Sequence, residues 1–324
     1  MTYTVGIAGN GAVGRAHLSA WQSLDAARVV AVCDCIPQRL TNLPAEVKGC
    51  ARPEDLFAHR PDIVDICLPT DLHRTSAVAA MEAGAHVFCE KPLAVDPADA
   101  EAMIETSQRT GRVLMVGHFL RFRPEYQLLG NLVRNQTLGP LKYLSLQRLA
   151  VWPTDSAGDW VSRCDRSGLA ALDLHIHDVD VVLWWLGIPR AVTSSGVRED
   201  DGGVSYIQTR YDFGPQGPEV TAEGGWVHDA DPLHVGAVLE FDRATAEYHS
   251  TEPAPLTIRH DDGRVERPHL PVRCRYREAL SHFLECVRNG QSPSCATGEE
   301  ALDALRVARA EIQSVLDGRT IELQ

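Results

Sequence analysis

Val5-Gly6-Ile7-Ala8-Gly9-Asn10-Gly11-Ala12-Val13-Gly14-Arg15-Ala16-His17-Leu18 decides how the chain is read. Residues 2–8 are rich in β-formers and alternate little, the mark of a strand buried on both faces. A helical pattern follows through about residue 24. Gly-x-Gly-x-x-Gly between a strand and a helix is the setting that lifts this motif above chance. Gly9 and Gly11 permit a tight turn and a close backbone approach to a pyrophosphate, while Gly14 lets the helix pack on the strand. The first N–H groups of that helix are left to meet phosphate oxygens. Gly9, Asn10, Gly11, Ala12, Val13 and Gly14 therefore form a candidate dinucleotide cradle.

A second strand over 28–33 ends at Asp34, twenty residues beyond Gly14. An acid there accepts hydrogen bonds from the adenosine ribose hydroxyls and repels a 2′-phosphate, which predicts NAD as the preferred cofactor. Arg39 is close enough in sequence to reach a phosphate, so NADP stays open. The pattern then repeats, with strands over 62–68, 85–89 and 112–117 and helices over 71–83 and 97–110. Such alternation implies an α/β fold with a parallel, doubly wound sheet, whose ligands lie outside the carboxyl ends of the strands.

Three segments fall at those ends: Leu68-Pro69-Thr70-Asp71-Leu72-His73, Glu90-Lys91-Pro92, and His118-Phe119-Leu120-Arg121. Leu68, Pro69, Thr70, His73 and Glu90 are candidate cofactor contacts. Pro92 keeps Lys91 out of helical geometry and fixes how it leaves the strand. Lys91 is either a donor to a substrate oxygen or a surface lysine paired with Glu90.

From about Phe122 the character changes. A helix over 124–134 is followed by strand-like runs at 141–151, 190–198, 204–213, 219–228, 234–241 and 245–250, then helices near 273–289 and 297–316. Successive strands with short links predict a large, mostly antiparallel sheet. The expected division is therefore 1–121 and 122–324.

Ser167 to Gly187 reads as one helix, with Ser167 as its N-cap and Gly187 and Pro189 as its stop. Asp173, His177 and Asp180 then fall at i, i+4 and i+7, on one face. This stripe is either a satisfied structural pair or a proton-transfer pair facing a cleft. On one helix His175 and His177 point about 200° apart, so they cannot share an ion, and no metal site is expected.

The length of 324 residues leaves room for two domains. A net charge of −13 with no basic run argues against nucleic acid or an anionic membrane as partner. The first residues lack the pattern of a signal peptide, and no apolar run is long enough to span a bilayer. Nine cysteines without a CxxC pair suggest free thiols in a reducing cytoplasm. His118, Arg121, Trp152 and Trp160 are candidate substrate contacts; Trp226 also offers a face to stack on a sugar or to pack in the core. Arg123, Arg163 and Arg166 would suit an anionic group, whereas Asp155, Asp159, Asp229 and Asp231 would suit an amino sugar.

Several motifs together resemble the glucose–fructose oxidoreductase / inositol dehydrogenase / MocA-type (Gfo/Idh/MocA) oxidoreductases. They are Gly9-x-Gly11-x-x-Gly14, Pro69-x-x-x-His73, Gly84-x-His86-Val87-x-Cys89-Glu90-Lys91-Pro92, and Ser167-Gly168 through Asp173-x-x-x-His177-Asp178-x-Asp180. The resemblance runs nearly end to end. It implies an N-terminal NAD(P)-binding Rossmann domain and a C-terminal α/β domain for substrate, whose open sheet builds a homodimer or homotetramer. It implies hydride transfer between NAD(P) and a secondary alcohol or ketone of a sugar, cyclitol or amino sugar. Lys91 would orient and polarise the reacting hydroxyl, His177 would serve as acid/base, and Asp173 would orient it, although some members give the proton transfer to the lysine. Leu169 and Ala170 replace the commoner glycines, Thr70 a frequent Asn, and His175 a small residue. Two alternatives share the fold: an NAD-dependent glycoside hydrolase, and a non-catalytic NAD-binding sensor.

Overall fold

The computed structural model describes residues 2–153, 157–227, 233–252 and 254–323. The chain begins with β1 (Tyr3–Ala8), α1 (Ala12–Gln22), β2 (Ala27–Cys33), β3 (Lys48–Cys50), α2 (Pro53–Phe57) and β4 (Ile63–Ile66). It continues through α3 (His73–Glu82), β5 (His86–Cys89), α4 (Pro97–Thr110) and β6 (Leu114–Val116). Then come α5 (Pro124–Asn135), β7 (Leu141–Ala150), α6 (Cys164–Ser167), α7 (Leu169–Asp173) and α8 (Ile176–Leu186). Six strands follow: β8 (Ala191–Arg198), β9 (Val204–Asp212), β10 (Glu219–Trp226), β11 (Leu233–Phe241), β12 (Ala244–His249) and β13 (Leu256–His260). The chain closes with β14 (Val265–Glu266), α9 (Arg275–Asn289), α10 (Gly298–Asp317) and β15 (Ile321–Glu322).

The first sheet has the order β3-β2-β1-β4-β5-β6, and every pairing in it is parallel. Helices cover such a sheet on both faces, so its strands are largely buried: β4 and β6 have no exposed residue, and exposure is left to the edge strand β3 and the start of β2. The strand order reverses between β1 and β4. That is the switch point at which a ligand crevice opens beyond the strand ends. Short β3 and α2 fall in a stretch without a clear pattern in the sequence.

The second sheet has the order β14-β13-β12-β11-β7-β10-β9-β8-β15, antiparallel except for β7 against β10. Its strands alternate as a half-covered sheet requires. In β9, Ile207, Thr209 and Tyr211 are buried while Gln208, Arg210 and Asp212 are exposed. β13 and β14 extend this sheet beyond the strands expected from sequence.

The chain divides into two units, Met1–Phe122 with Arg273–Leu302, and Arg123–Val272 with Asp303–Gln324. A cut at 121/122 alone misses the return of residues 273–302 to the first unit. The cause is the apolar stripe of α9, where Ala279, Leu280, Phe283, Leu284 and Val287 join Val5, Trp21, Phe88 and Met115 in one core. Burying each large side chain contributes roughly 1.5–3 kcal/mol. The same segment covers the outer edge of β6, where the Val116 amide donates to the Ala296 carbonyl at 2.9 Å.

Ser167 to Gly187 is not one helix. Gly168 (φ +73°) and Leu169 (φ +55°) both take left-handed geometry, separating α6 from α7. Ser167 Oγ accepts from the Leu169 amide at 2.9 Å and donates to the Val161 carbonyl at 2.6 Å. A second irregularity separates α7 from α8. The His175 amide reaches back five residues to Ala170 O at 2.8 Å, and the His177 amide reaches only three, to Leu174 O at 3.4 Å. Asp173 and His177 therefore flank an irregular turn and do not continue one regular i, i+4 stripe.

Candidate active site

The glycine turn after β1 owes two of its three glycines to the protein's own packing. Gly9 has φ +98°, and a Cβ there would stand 2.3 Å from the Cys67 carbonyl oxygen. A Cβ on Gly14 would stand 2.0 Å from the Gly9 carbonyl oxygen, so only glycine lets α1 lie this close to β1. Gly11 differs: the nearest atom to a Cβ there would be Arg39 Nη1, at 3.7 Å. The approach to that backbone is open. No side chain caps the N-terminus of α1 and no acid sits in its first turn, leaving the helix's positive end unopposed. Gly9 through Gly14 thus fit the pyrophosphate of a dinucleotide.

Asp34 is buried just past the end of β2. Its Oδ2 accepts from the Asn10 amide at 2.8 Å and its Oδ1 from the Ile36 amide at 2.9 Å. Asn10 Nδ2 in turn donates to the Arg39 carbonyl at 2.6 Å. The carboxylate is fixed against the glycine turn and still has lone pairs for a ribose diol. Arg39 Nη1 lies 3.3 Å from Asp34 Oδ2. That cation offsets the charge by which Asp34 would repel a 2′-phosphate, so the acid does not act alone.

His73 is 1% exposed, and both ring nitrogens face backbone oxygens: Nδ1 lies 3.0 Å from Pro92 O and Nε2 2.9 Å from Leu68 O. Burial pushes its pKa below the usual histidine value. In place of a cofactor contact, His73 is a brace joining the loop after β4 to the loop after β5. Leu68, Pro69 and Lys91 are partly exposed, and Thr70 is buried. The Lys91–Pro92 peptide bond is cis. Glu90 Oε2 accepts from the Lys91 amide at 3.2 Å.

Behind Glu90 lies a charged cluster that the sequence reading did not identify. His17 Nδ1 is 2.9 Å from Asp65 Oδ2, and Nε2 is 3.0 Å from Glu90 Oε1. The second contact is an ion pair without the alignment of a hydrogen bond. Trp21 Nε1 donates to Asp65 Oδ2 at 2.7 Å. Burial opposes a charge on His17, but its polar neighbours, Asp65 foremost, together hold the ring's pKa well above the usual histidine range. Cys67, 3.4 Å from Nδ1, stays a neutral thiol because burial lifts it to about 12. Its sulfur also groups with His17 and Asp65 closely enough for a metal ion, but the indole donor on Asp65 and the two carboxylates on His17 read as a hydrogen-bonded ion cluster. Two cues were available: a charge inside the apolar strand Ile63-Val64-Asp65-Ile66, and a histidine one turn past Gly14.

In the second unit, Asp173 and His177 are partly exposed, whereas His175, Asp178 and Asp180 are buried. His175 Nε2 lies 3.1 Å from Glu311 Oε2 on α10. Asp178 takes both Arg148 Nε (2.8 Å) and Nη2 (2.9 Å), tying α8 to β7. The run therefore separates by burial into structural groups and the partly exposed Asp173 and His177.

The candidate substrate contacts fare differently. Arg121 Nη1 pairs with Glu300 Oε1 at 2.6 Å, and its side chain is 2% exposed. His118 is buried. Trp152 and Trp160 pack against Val161, Leu169, Ala170 and Trp226, and the Trp152 and Trp226 rings meet edge-on at 5.0 Å. Burial and ion pairing turn Arg121 inward, and core packing uses much of the two indole surfaces. Arg123 pairs with Glu125 and Arg163 with Asp165. Asp155, Asp229 and Asp231 lie outside the described residues, as does the side chain of Asp159.

The sequence of residues 3–118 matches the family described as "Oxidoreductase family, NAD-binding Rossmann fold", and residues 126–264 match the "GFO/IDH/MocA C-terminal domain". The chain belongs to the Gfo/Idh/MocA oxidoreductase family. Among similar Gfo/Idh/MocA proteins is the D-apiose dehydrogenase of Paraburkholderia graminis, 27% identical over 98% of this chain and 88% of that one. The inositol 2-dehydrogenase of Rhizobium meliloti is 27% identical, with both chains covered in full. The solved structure of UDP-N-acetylglucosamine 3-dehydrogenase from Acidithiobacillus ferrooxidans superposes with a TM-score of 0.80 at 25% identity, covering 97% of this chain and 98% of that one. The family's NAD-binding Rossmann fold agrees with the open glycine turn and uncapped helix described above.

Proposed function

We propose that this Gfo/Idh/MocA oxidoreductase interconverts a secondary alcohol and a ketone on a sugar, cyclitol or amino sugar, with NAD as its preferred partner and NADP as the second. The nicotinamide, when bound, supplies the hydride acceptor or donor. Gly9 to Gly14 hold the pyrophosphate, Asp34 and Arg39 meet the adenosine ribose, and Leu68, Pro69 and Thr70 line the path onward. The observation that carries the reading is Lys91. It leaves the C-terminal end of β5, two strands from the glycine turn and thus about 10 Å away, in a loop braced by His73 and by the Glu90 carboxylate.

Carbinol oxidation needs a donor to the developing alkoxide and a base for the O–H proton. Lys91 takes the first role and His177 the second, with Asp173 fixing the imidazole tautomer. The named activities of the D-apiose, inositol and UDP-N-acetylglucosamine dehydrogenases support a polyhydroxylated substrate. Nine free cysteines suit a reducing compartment such as the cytoplasm. No helix among the described residues is long and apolar enough to cross a membrane.

The test is fluorescence titration with NADH and NADPH, followed by a screen of myo-inositol, aldoses and nucleotide-linked amino sugars for net reduction of NAD. In Lys91→Met, turnover should fall by about 2–4 kcal/mol of transition-state stabilisation while NADH binding holds. Unchanged turnover would remove Lys91 from the reaction.

A further inference from the structure

We propose that His17 is a positioning residue for Lys91, acting through Glu90: a buried cation that fixes the charge and direction of the Glu90 carboxylate, which in turn fixes the Lys91 turn. The inference rests on the reading of Lys91 as the group that meets the reacting oxygen. His17 touches neither cofactor nor substrate in that reading; it lies inside the first unit, wholly buried. Its ring sits among Phe88, Phe119 and Tyr276, with centroids 5.8, 5.5 and 5.0 Å away. In that apolar cage its charged partners are the carboxylates of Asp65 and Glu90.

The two carboxylates are not equivalent. Asp65 also receives Trp21 Nε1 and so has a second strong donor. Glu90 Oε1 has His17 at 3.0 Å, and Glu90 Oε2 has the Lys91 amide at 3.2 Å. A Cβ on Gly117 would stand 3.3 Å from Glu90 Oε1, so that side is closed to a larger side chain. The carboxylate thus has a cation at one oxygen and the backbone of Lys91 at the other. Removing the cation leaves a nearly buried anion one residue from the Lys91 amine, and in low dielectric its field on that amine grows. His17 therefore sets the local charge at Lys91 as well as the direction of the turn.

The sequence supplies a substrate-free readout, because the chain has three lysines: Lys48, Lys91 and Lys142. Competitive acetylation of the full chain with acetic anhydride, followed by peptide mass spectrometry, reports Lys91 against two exposed internal references. In His17→Gln, the unscreened Glu90 carboxylate should slow Lys91 acetylation threefold or more relative to Lys48 and Lys142. In His17→Gln/Glu90→Gln, which removes both charges, the ratio should return to that of the parent. Trp21→Phe breaks the other donor to Asp65 and serves as the control for simple loosening: its melting temperature should drop while the Lys91 ratio holds.

An unchanged ratio in His17→Gln, or an equal change in Trp21→Phe, would overturn the inference. Should His17→Gln not fold, Glu90→Gln alone must speed Lys91 acetylation, and a ratio equal to the parent's would overturn it as well. Failure of the Lys91 reading looks different: Lys91→Met would keep its turnover while the acetylation ratio still answered to His17.

Discussion

Asp34 does more than await a ribose. It also holds the amides of Asn10 and Ile36, so its removal both opens the glycine turn and deletes an acceptor. Asp34→Ala should therefore weaken NADH by roughly tenfold to a hundredfold, using about 1.5–3 kcal/mol for a hydrogen bond to a charged group. NADPH, which gains nothing from that carboxylate, should lose less, and Arg39→Ala should weaken NADPH more than NADH. Fluorescence titration of both variants gives the two ratios; an NADH-to-NADPH ratio that Asp34→Ala leaves alone would remove Asp34 from cofactor choice. His17 makes a prediction about pH. Its folded pKa lies above the value of 6.5 for a free ring, so the stability it contributes is full below that value and lost as pH rises through the folded pKa. Cys33 and Cys67, both lifted to about 12, act only above the thiol value of 9.0. Between pH 7 and 9 the melting temperature should fall, and His17→Gln should flatten that slope. A slope that survives in the variant would mean another group carries it.

At the scale of the element, the turn between α7 and α8 is what sets the backbone at Asp173 and His177. His175 is drawn into the core toward Glu311, and its ring needs the space left by Gly224 on β10: a Cβ there would come within 2.7 Å of the ring. Gly224→Ala must push the imidazole, at about 1–3 kcal/mol for an overpacked site. The displaced turn should lower turnover more than it lowers NADH affinity, as a kcat and Kd comparison would reveal. A fall in stability with unchanged kcat would mean the turn does not govern His177. None of this was legible in residues 167–187. Local periodicity reports the face of a helix but not a histidine pulled toward a glutamate 136 residues later. By contrast, α4 was readable to its ends. Asp96 caps the Ala98 amide at 2.8 Å, Pro97 opens the first turn, and Gly111 closes it with φ +65°. Those signals are local, and so was the reading.

For the whole molecule, the nine-stranded sheet presents a face of Tyr143, Ser145, Gln147, Tyr206, Glu223 and Val238 opposite the buried one. On that face Glu223 accepts from Gln147 Nε2 at 2.7 Å and from the Tyr206 hydroxyl at 2.5 Å, and we propose it as the surface that meets a second copy. We expect a dimer or tetramer by light scattering, and Val238→Arg should shift it toward monomer with the helical content of the fold intact. A parent chain that runs as a monomer would end that reading. The sequence by itself determined the alternation of strands and helices, the glycine turn, Asp34 and the strand-end position of Lys91. Each is written in a few adjacent residues, because hydrogen-bonding period and turn geometry are local. Only the tertiary structure decided that residues 273–302 return to the first unit, that Arg39 lies across Asp34, that Arg121 turns inward to Glu300, and that His17 joins two carboxylates. Those outcomes depend on which apolar faces and which charges find each other once water is excluded; apart from Arg39, five positions from Asp34, the charges that pair lie tens to hundreds of positions apart.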